Sequence, residues 1–266
     1  MIIIPIMKVN NMVDIHCHIL PGIDDGPGNV EESIEMAKRA ESNGTKVIVA
    51  TPHYIESEGY KSYLYNLEIL NNLKNRLLNG QIKIEILLGN EVFITPNTIE
   101  LLENNEIATI NRTKYILIEL PVVDIPGYID QVIFSLRLKG IYPIFAHPER
   151  NLKIIKNPNI LYDFIKRGAL VQLNLSSLEK GSKDSIGKTA GILLENSMVH
   201  FIASDAHSSS KYNLSLIHAF KIAGRYTSKK NLEKFLYDNP LKVINDEELT
   251  IDEPVKYNKK TLLFYH

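Results

Sequence analysis

Residues Asp14–Gly26 read DIHCHILPGIDDG: two histidines flank a lone cysteine, and a pair of aspartates follows in a loop bearing proline and glycine. With Met12 and Val13 ahead of it, MVDIH (12–16) reads as a short buried strand that delivers the histidines at its C-terminal end. Side chains alternate along a strand. His16 and His18 therefore share one face, while Cys17 points to the other, as a packed thiol and not a ligand or nucleophile. An H-x-H pair alone is weak evidence for a metal. Further ligands have to recur where a fold can bring them together.

They recur at strand ends. The runs KVIVAT (46–51), IEILLGN (84–90), YILIEL (115–120), YPIFAH (142–147), ALVQLNL (169–175) and MVHFIAS (198–204) are rich in Val, Ile and Leu with little alternation. That is the pattern of parallel strands buried on both faces. Amphipathic segments lie between them. Asn29 caps a helix with Glu32 three residues on, Gly44 closes it, and Val30, Ile34, Ala37 and Ala40 form its apolar stripe. The longest helix spans YKSYLYNLEILNNLKNRLLNG (60–80), and others are expected over 127–140, 158–167, 183–196, 211–224 and 229–238. Seven strands alternating with helices predict a β/α barrel or an open doubly wound sheet. With no repeat and no linker-like stretch, a single domain over 1–266 is expected. Its core runs from about 12 to 245, and the tail 246–266 lies against the barrel or a neighbouring chain.

His16 and His18 end the first strand, and Asp25 sits in the loop after it. His53 follows the second strand, Glu91 the third; Glu119 ends the fourth and His147 the fifth; Asp205 and His207 follow the last. In a β/α barrel the C-terminal strand ends converge on one face, where catalytic groups sit. Five of the eight histidines occupy such positions, together with carboxylates, on six of the seven strands. His200, at the start of the last strand, reads as a packed core histidine. His218 and His266 read as structural or solvated. Imidazoles with several carboxylates and no thiolate suit Mn²⁺, Fe²⁺ or Zn²⁺, and the donors exceed what one ion can use. Several ions sharing a bridging carboxylate would use them all.

Composition excludes other classes. The 266 residues are 44% hydrophobic and 23% charged, with a net charge of −1, so the basic surplus of a nucleic-acid or anionic-membrane binder is missing. One cysteine precludes an intrachain disulfide and suits a reducing compartment. No run approaches the ~20 apolar residues of a membrane helix, and MIIIPIM is too short for a signal peptide. A cytoplasmic protein without membrane insertion is expected.

Taken in order from Met12 to His207, DIHCHILPGIDDGP, VIVATPHY, LLGNEVFITP, YILIEL, IFAHPER and FIASDAH resemble the polymerase-and-histidinol-phosphatase (PHP) superfamily. More closely, they resemble its bacterial manganese-dependent tyrosine phosphatases of capsular and exopolysaccharide biosynthesis. The resemblance implies a distorted seven-stranded β/α (TIM-like) barrel holding three divalent metal ions, manganese first, with iron or zinc as alternatives. It implies one ion on His16, His18, Glu91 and Asp205, a second on Glu91, Glu119 and His147, and a third on Asp25, His53 and His207. Glu119 stands where other branches often carry histidine, which favours the tyrosine-phosphatase branch; a small-molecule phosphatase such as histidinol phosphatase is the alternative. The resemblance also implies a homo-oligomer whose partner is the tyrosine-rich tail of a bacterial tyrosine kinase. One departure is evident. The family often places an arginine shortly after SDAH, whereas SSSKYNLS here offers Lys211, which supplies charge but not bidentate geometry.

Hydrolysis of a phosphate monoester needs charge neutralisation, an in-line nucleophile and a stabilised leaving oxygen. Clustered divalent ions can lower the pKa of a bound water toward ~7, providing hydroxide to attack phosphorus, and clamp the phosphoryl oxygens. Arg150, in HPER, offers forked donors for the phosphate, unless a salt bridge to Glu149 or a nearby helix engages it. Lys211 is a second substrate-binding cation. Asp205 and His207 are nearest for proton transfer, and a phenolate, with a conjugate pKa near ~10, needs little help to leave. No arginine follows Cys17 at the C-x5-R spacing of the cysteine-dependent phosphatases. An amidohydrolase would want a metal-bridging lysine, and none stands at a strand end. A regulator that retained its metals for stability is the reading from another class.

Overall fold

In the computed structural model the chain is described over residues 12–213 and 221–258, the side chains of Lys211 and Asn213 excepted. Every apolar run becomes a strand. In chain order these are β1 (Met12–Cys17), β2 (Thr45–Ala50), β3 (His53–Tyr54), β4 (Glu85–Leu88), β5 (Glu91–Phe93), β6 (Tyr115–Glu119), β7 (Tyr142–Ala146), β8 (Leu170–Asn174) and β9 (Phe201–Ala203). Two runs are broken near their C-terminal ends. Pro52, which lacks an N–H for a ladder, lies between β2 and β3, and Gly89–Asn90 lies between β4 and β5.

Those breaks change the architecture from the one expected. The strands pair in parallel, but as two sheets, β1-β2-β4 and β3-β5-β6-β7-β8-β9. A closed ring of seven does not form among the described residues. At each break the chain leaves the first sheet and enters the second, held by Gly89 N–H donating to Ala50 O (2.9 Å) and Glu91 N–H donating to Pro52 O (3.1 Å). On the far side, the segment after β9 binds β1: Asp205 N–H donates to His16 O (2.9 Å), and His18 N–H donates to Ala206 O (3.0 Å).

Between the sheets lies an apolar interior of Val13, Ile15, Val47, Val49, Leu117, Ile144, Leu170 and Phe201, among others. Each such side chain contributes about 1.5–3 kcal/mol by burial. The opposite faces pack beneath helices. Cys17, Ile48 and Ala50 meet Met36, Ala37 and Ala40 of the helix Val30–Ser42, on which Val30 and Ile34 are only partly buried. Asn29 caps that helix by accepting from Glu32 N–H at 3.0 Å.

Helices over Tyr63–Asn79, Ile129–Leu138, Asn159–Lys166 and Ser185–Glu195 lie within the expected spans. The segment 229–238 is an α-helix to Glu233 and a π-helical turn beyond it. Ser209–Asn213 form a 3-10 turn, while half of the helix expected over 211–224 (residues 214–220, with His218) falls outside the described residues, as does His266. Residues 246–258 run against the chain's own fold: Val255 N–H donates to Asn196 O (2.9 Å) and Tyr257 N–H to Asn159 Oδ1 (2.8 Å). No described helix is long and apolar enough to cross a membrane.

Candidate metal centre

Although the strands form two sheets and not one closed barrel, their C-terminal ends converge. Glu91 is at the middle, fully buried. Its Oε2 lies 3.1 Å from His16 Nε2, 3.2 Å from His18 Nε2 and 3.1 Å from His53 Nδ1. Its Oε1 lies 2.8 Å from His147 Nε2. Asp205 Oδ1 approaches His16 Nε2 at 3.4 Å and His18 Nε2 at 3.5 Å. Asp25 Oδ1 stands at the rim, 3.2 Å from His207 Nε2 and 3.5 Å from His53 Nε2. Glu119 Oε2 is 3.9 Å from His53 Nδ1.

Three groups of donors lie within 4.8 Å of one another: His16, His18, Glu91 and Asp205; His18, Asp25, His53 and His207; and His53, Glu91 and Glu119. The first is the set expected for the first ion. The second adds His18 to the expected third set. The last has His53 where His147 was expected.

A divalent ion suits this arrangement on the structure's own terms. Glu91 Oε2 and His53 Nδ1 are buried and have no hydrogen-bond partner, although each is close to the other and to further donors. Lone pairs aimed at lone pairs in a buried site leave polar atoms unsatisfied at a cost, and a shared cation removes it.

Local backbone features aim the ligands. In β1, Asp14 pairs with Ile48 and Cys17 with Ala50, so three steps of one strand match two of the other. This bulge puts Ile15 and His16 both on the interior side and turns Asp14 toward the helix side with Cys17. His147 (φ 33°) and Asp205 (φ 50°) adopt left-handed backbone just past their strands. Such conformations cost about 1–3 kcal/mol and persist where surroundings enforce them. At Gly26 a Cβ would lie 2.4 Å from His18 O, so only glycine lets the first loop fold back over its strand.

Charge is unevenly placed. Burial, reinforced by the nearby Glu91 carboxylate, pushes Glu119 up to about 7. Burial works against a charge on His147, but Glu91 outweighs it and lifts the ring to about 9. Burial likewise opposes the charge of Asp205, yet His16, His18 and His147 hold its carboxyl well below the usual range. An arrangement of carboxylates and imidazoles with these shifts is electrostatically suited to divalent cations.

Arg150 lies at the mouth, its side chain 38% exposed, with Nη1 3.1 Å from Asp205 Oδ2. It pairs with Asp205 and not with Glu149, which is buried and accepts from Asn174 N–H at 3.1 Å. Arg150 lines a cleft of about 300 Å³ with Asp25, His53, Glu119, His147, Asp205 and His207. The Lys211 side chain lies outside the described residues. Cys17 is fully buried on the helix side, and burial raises its thiol pKa.

Three polar residues here have no counterpart among the expected ligands. Asp24 Oδ2 lies 2.7 Å from His18 Nδ1 and accepts from the backbone N–H of His53 at 3.0 Å, so it orients the His18 ring and ties the His53 backbone to the first loop. Gln172 and Asn174 project inward from β8, in register with Leu170, while Val171 and Leu173 face out. The signal was present in ALVQLNL: two amides, two residues apart, at the C-terminal end of an otherwise apolar strand.

Comparisons with known proteins point to one family. Residues 12–245 match the family described as capsular polysaccharide synthesis, CpsB/CapC. The chain is 37% identical to Staphylococcus aureus CapC over 254 residues, covering 95% of this chain and 99% of that one. It is 39% identical to the tyrosine-protein phosphatase YwqE of Bacillus subtilis over 202 residues, 76% of this chain and 80% of that one. Among solved structures, a chain from the crystal structures of Bacillus subtilis YwqE and Streptococcus pneumoniae CpsB, metal-dependent tyrosine phosphatases, superposes with a TM-score of 0.87. It is 33% identical, with 93% of this chain and all of that one covered. The chain belongs to the CpsB/CapC family of capsular polysaccharide synthesis.

Proposed function

We propose that this protein is a metal-dependent protein-tyrosine phosphatase of capsule synthesis. The observation that carries the reading is the buried Glu91 carboxylate, met by His16, His18, His53 and His147 within 3.2 Å and lacking a hydrogen-bond partner on Oε2. His16, His18, Glu91 and Asp205 would hold one divalent ion. Asp25, His53 and His207 would hold a second, and Glu119 and His147, beside Glu91, a third. Manganese is the first metal to test. Such ions supply Lewis acidity, acidifying water and neutralising phosphoryl oxygens.

The chain's own groups do the rest. Arg150 presents its remaining guanidinium donors to the cleft, where they can engage the non-bridging oxygens of a phosphate as charge builds on them. Lys211 is the further cation proposed for substrate binding. His207, at the rim, and Asp205 are the groups proposed to move a proton, and a phenolate needs only modest assistance. The cleft is open enough for a side chain carried on a protein, which suits phosphotyrosine in the tail of a tyrosine kinase. The relatives are tyrosine-protein phosphatases, which favours this substrate over histidinol phosphate. Metal-stripped protein reloaded with Mn²⁺ should hydrolyse phosphotyrosine peptides faster than histidinol phosphate. Absence of turnover with Mn²⁺, Fe²⁺ and Zn²⁺ alike would overturn the proposal.

A further inference from the structure

Of the seven strands expected from the sequence, β8 is the one without a metal-ligand candidate at its end, yet its two inward amides join ligands from opposite sides of the centre. His16 Nδ1 lies 2.8 Å from Gln172 Oε1. Gln172 Nε2 donates to Asn174 Oδ1 at 2.8 Å, and Asn174 Nδ2 donates to Asp205 Oδ2 at 2.6 Å. All four residues are buried. The chain of contacts closes on itself, because Asp205 Oδ1 is 3.4 Å from His16 Nε2.

We infer that Gln172 and Asn174 are positioning residues through which ionised Asp205 selects the ring tautomer of His16. The direction of the relay follows from donor and acceptor chemistry. A carboxylate only accepts, so Asn174 must turn its NH₂ toward Asp205 and its carbonyl oxygen toward Gln172. Gln172 must then donate to Asn174, which turns its own carbonyl oxygen toward His16. That oxygen accepts only from a protonated Nδ1. Nε2 is left bare, pointing at Glu91 and Asp205, the form in which an imidazole can ligate a metal.

Were Gln172 reversed, its NH₂ would face Nδ1 and the ring proton would move to Nε2, blocking the ligand position. Two amide oxygens would also be brought together, or an amide oxygen set against the Asp205 carboxylate. The two rings of the H-x-H pair are thus oriented differently: His18 by a carboxylate, Asp24, and His16 by a neutral amide whose polarity is set remotely. Backbone contacts fix the joint, since Asn174 N–H donates to buried Glu149.

This inference rests on the metal-centre reading, so the wild type is its control. Mn²⁺ is titrated calorimetrically into metal-free wild type, Gln172→Met and Gln172→Glu, and thermal unfolding of each is followed without metal. Methionine preserves volume but breaks the relay, whereas glutamate still accepts from His16 Nδ1. Gln172→Met should weaken the tightest Mn²⁺ site about 10–100-fold, as loss of an outer-shell partner does, and Gln172→Glu should recover most of that loss. Asn174→Ala, which breaks the relay at its other joint, should show the same weakening and serves where the methionine variant does not fold.

If wild type binds Mn²⁺ and the relay-breaking variants bind it equally well, the relay is only packing and the inference fails. It fails too if Gln172→Glu binds as weakly as Gln172→Met. A wild type that binds no Mn²⁺ would instead remove the metal-centre reading itself.

Discussion

His147 and His200 are both buried, 7% and 4% exposed, yet they lie at opposite ends of the strands and in opposite electrostatic states. His147 faces Glu91 at 2.8 Å and is lifted to about 9. Nδ1 of His200 accepts from Val171 N–H at 3.1 Å, and its Nε2 has no partner. Burial, with a further push from Lys234, drives that ring down to about 3, and Asp252 offsets little of it. Burial alone therefore keeps a histidine neutral and structural. What distinguishes the candidate metal centre is the supply of acids, delivered there by strand ends, a bulge and left-handed turns.

Removing the central acid should produce the largest effect. Glu91→Gln keeps the volume but takes away the charge that every neighbouring ring faces. Metal content, read by elemental analysis, should fall, and phosphotyrosine turnover should drop by more than the about 100-fold reached by outer-shell changes. Full metal content and activity in this variant would dissolve the contrast between the two ends.

Arg150→Ala comes next. It pairs with Asp205 through Oδ2 but is not itself an expected ligand, so metal content should largely hold while kcat/KM falls about 10²–10³-fold, the scale for losing a preorganised donor to a developing oxyanion. Arg150→Lys should recover only part of the loss, because a single ammonium cannot reproduce the fork. An unchanged kcat/KM would leave Arg150 as no more than the ion-pair partner of Asp205.

The His200 end makes its own prediction, in stability. Its folded pKa, about 3, is below the ~6.5 of an unfolded histidine. Between these values the unfolded chain binds the extra proton. Stability is therefore fully present above about pH 6.5 and lost as pH falls toward 3, by at most about 1.4 kcal/mol per pH unit from this group. His200→Gln, which can still accept from Val171 N–H, should flatten that part of the stability–pH curve of metal-free protein. Identical slopes in urea-melt series from pH 7 to about 4 would show that His200 does not remain neutral.

Much of this contrast could be read in the sequence, because buried parallel strands announce themselves as apolar runs and ligands collect where such runs end. The three histidines at 16, 18 and 147 and the acids at 91, 119 and 205 carry that signal. What escaped has physical causes. The sheet division depends on Pro52 and Gly89–Asn90 interrupting ladders, and a break two residues long hardly disturbs an apolar run. Gln172 and Asn174 were hidden because the ligand pattern was read from histidines and carboxylates, and their role lies in the direction of hydrogen bonds. Asp24 and Asp25 are adjacent and chemically alike; only the folded loop, closed over Gly26, turns one to His18 and the other to the rim.

The smallest effect should come from the residue that sits between the two histidines of the opening motif. Cys17 pairs with Ala50 on the helix side, its thiol 3.6 Å from Ala206 O and packed among Ile19, Met36 and Ala37. Cys17→Ala removes one buried heavy atom, worth about 1 kcal/mol, which in a chain of this size lowers Tm by roughly 2–4 °C. Turnover per bound metal should be unchanged, since the face that carries the thiol never meets the cleft. A large loss of activity at full metal content would place the sulfur in the chemistry, and the division of β1 into a ligand face and a packing face would have to be abandoned.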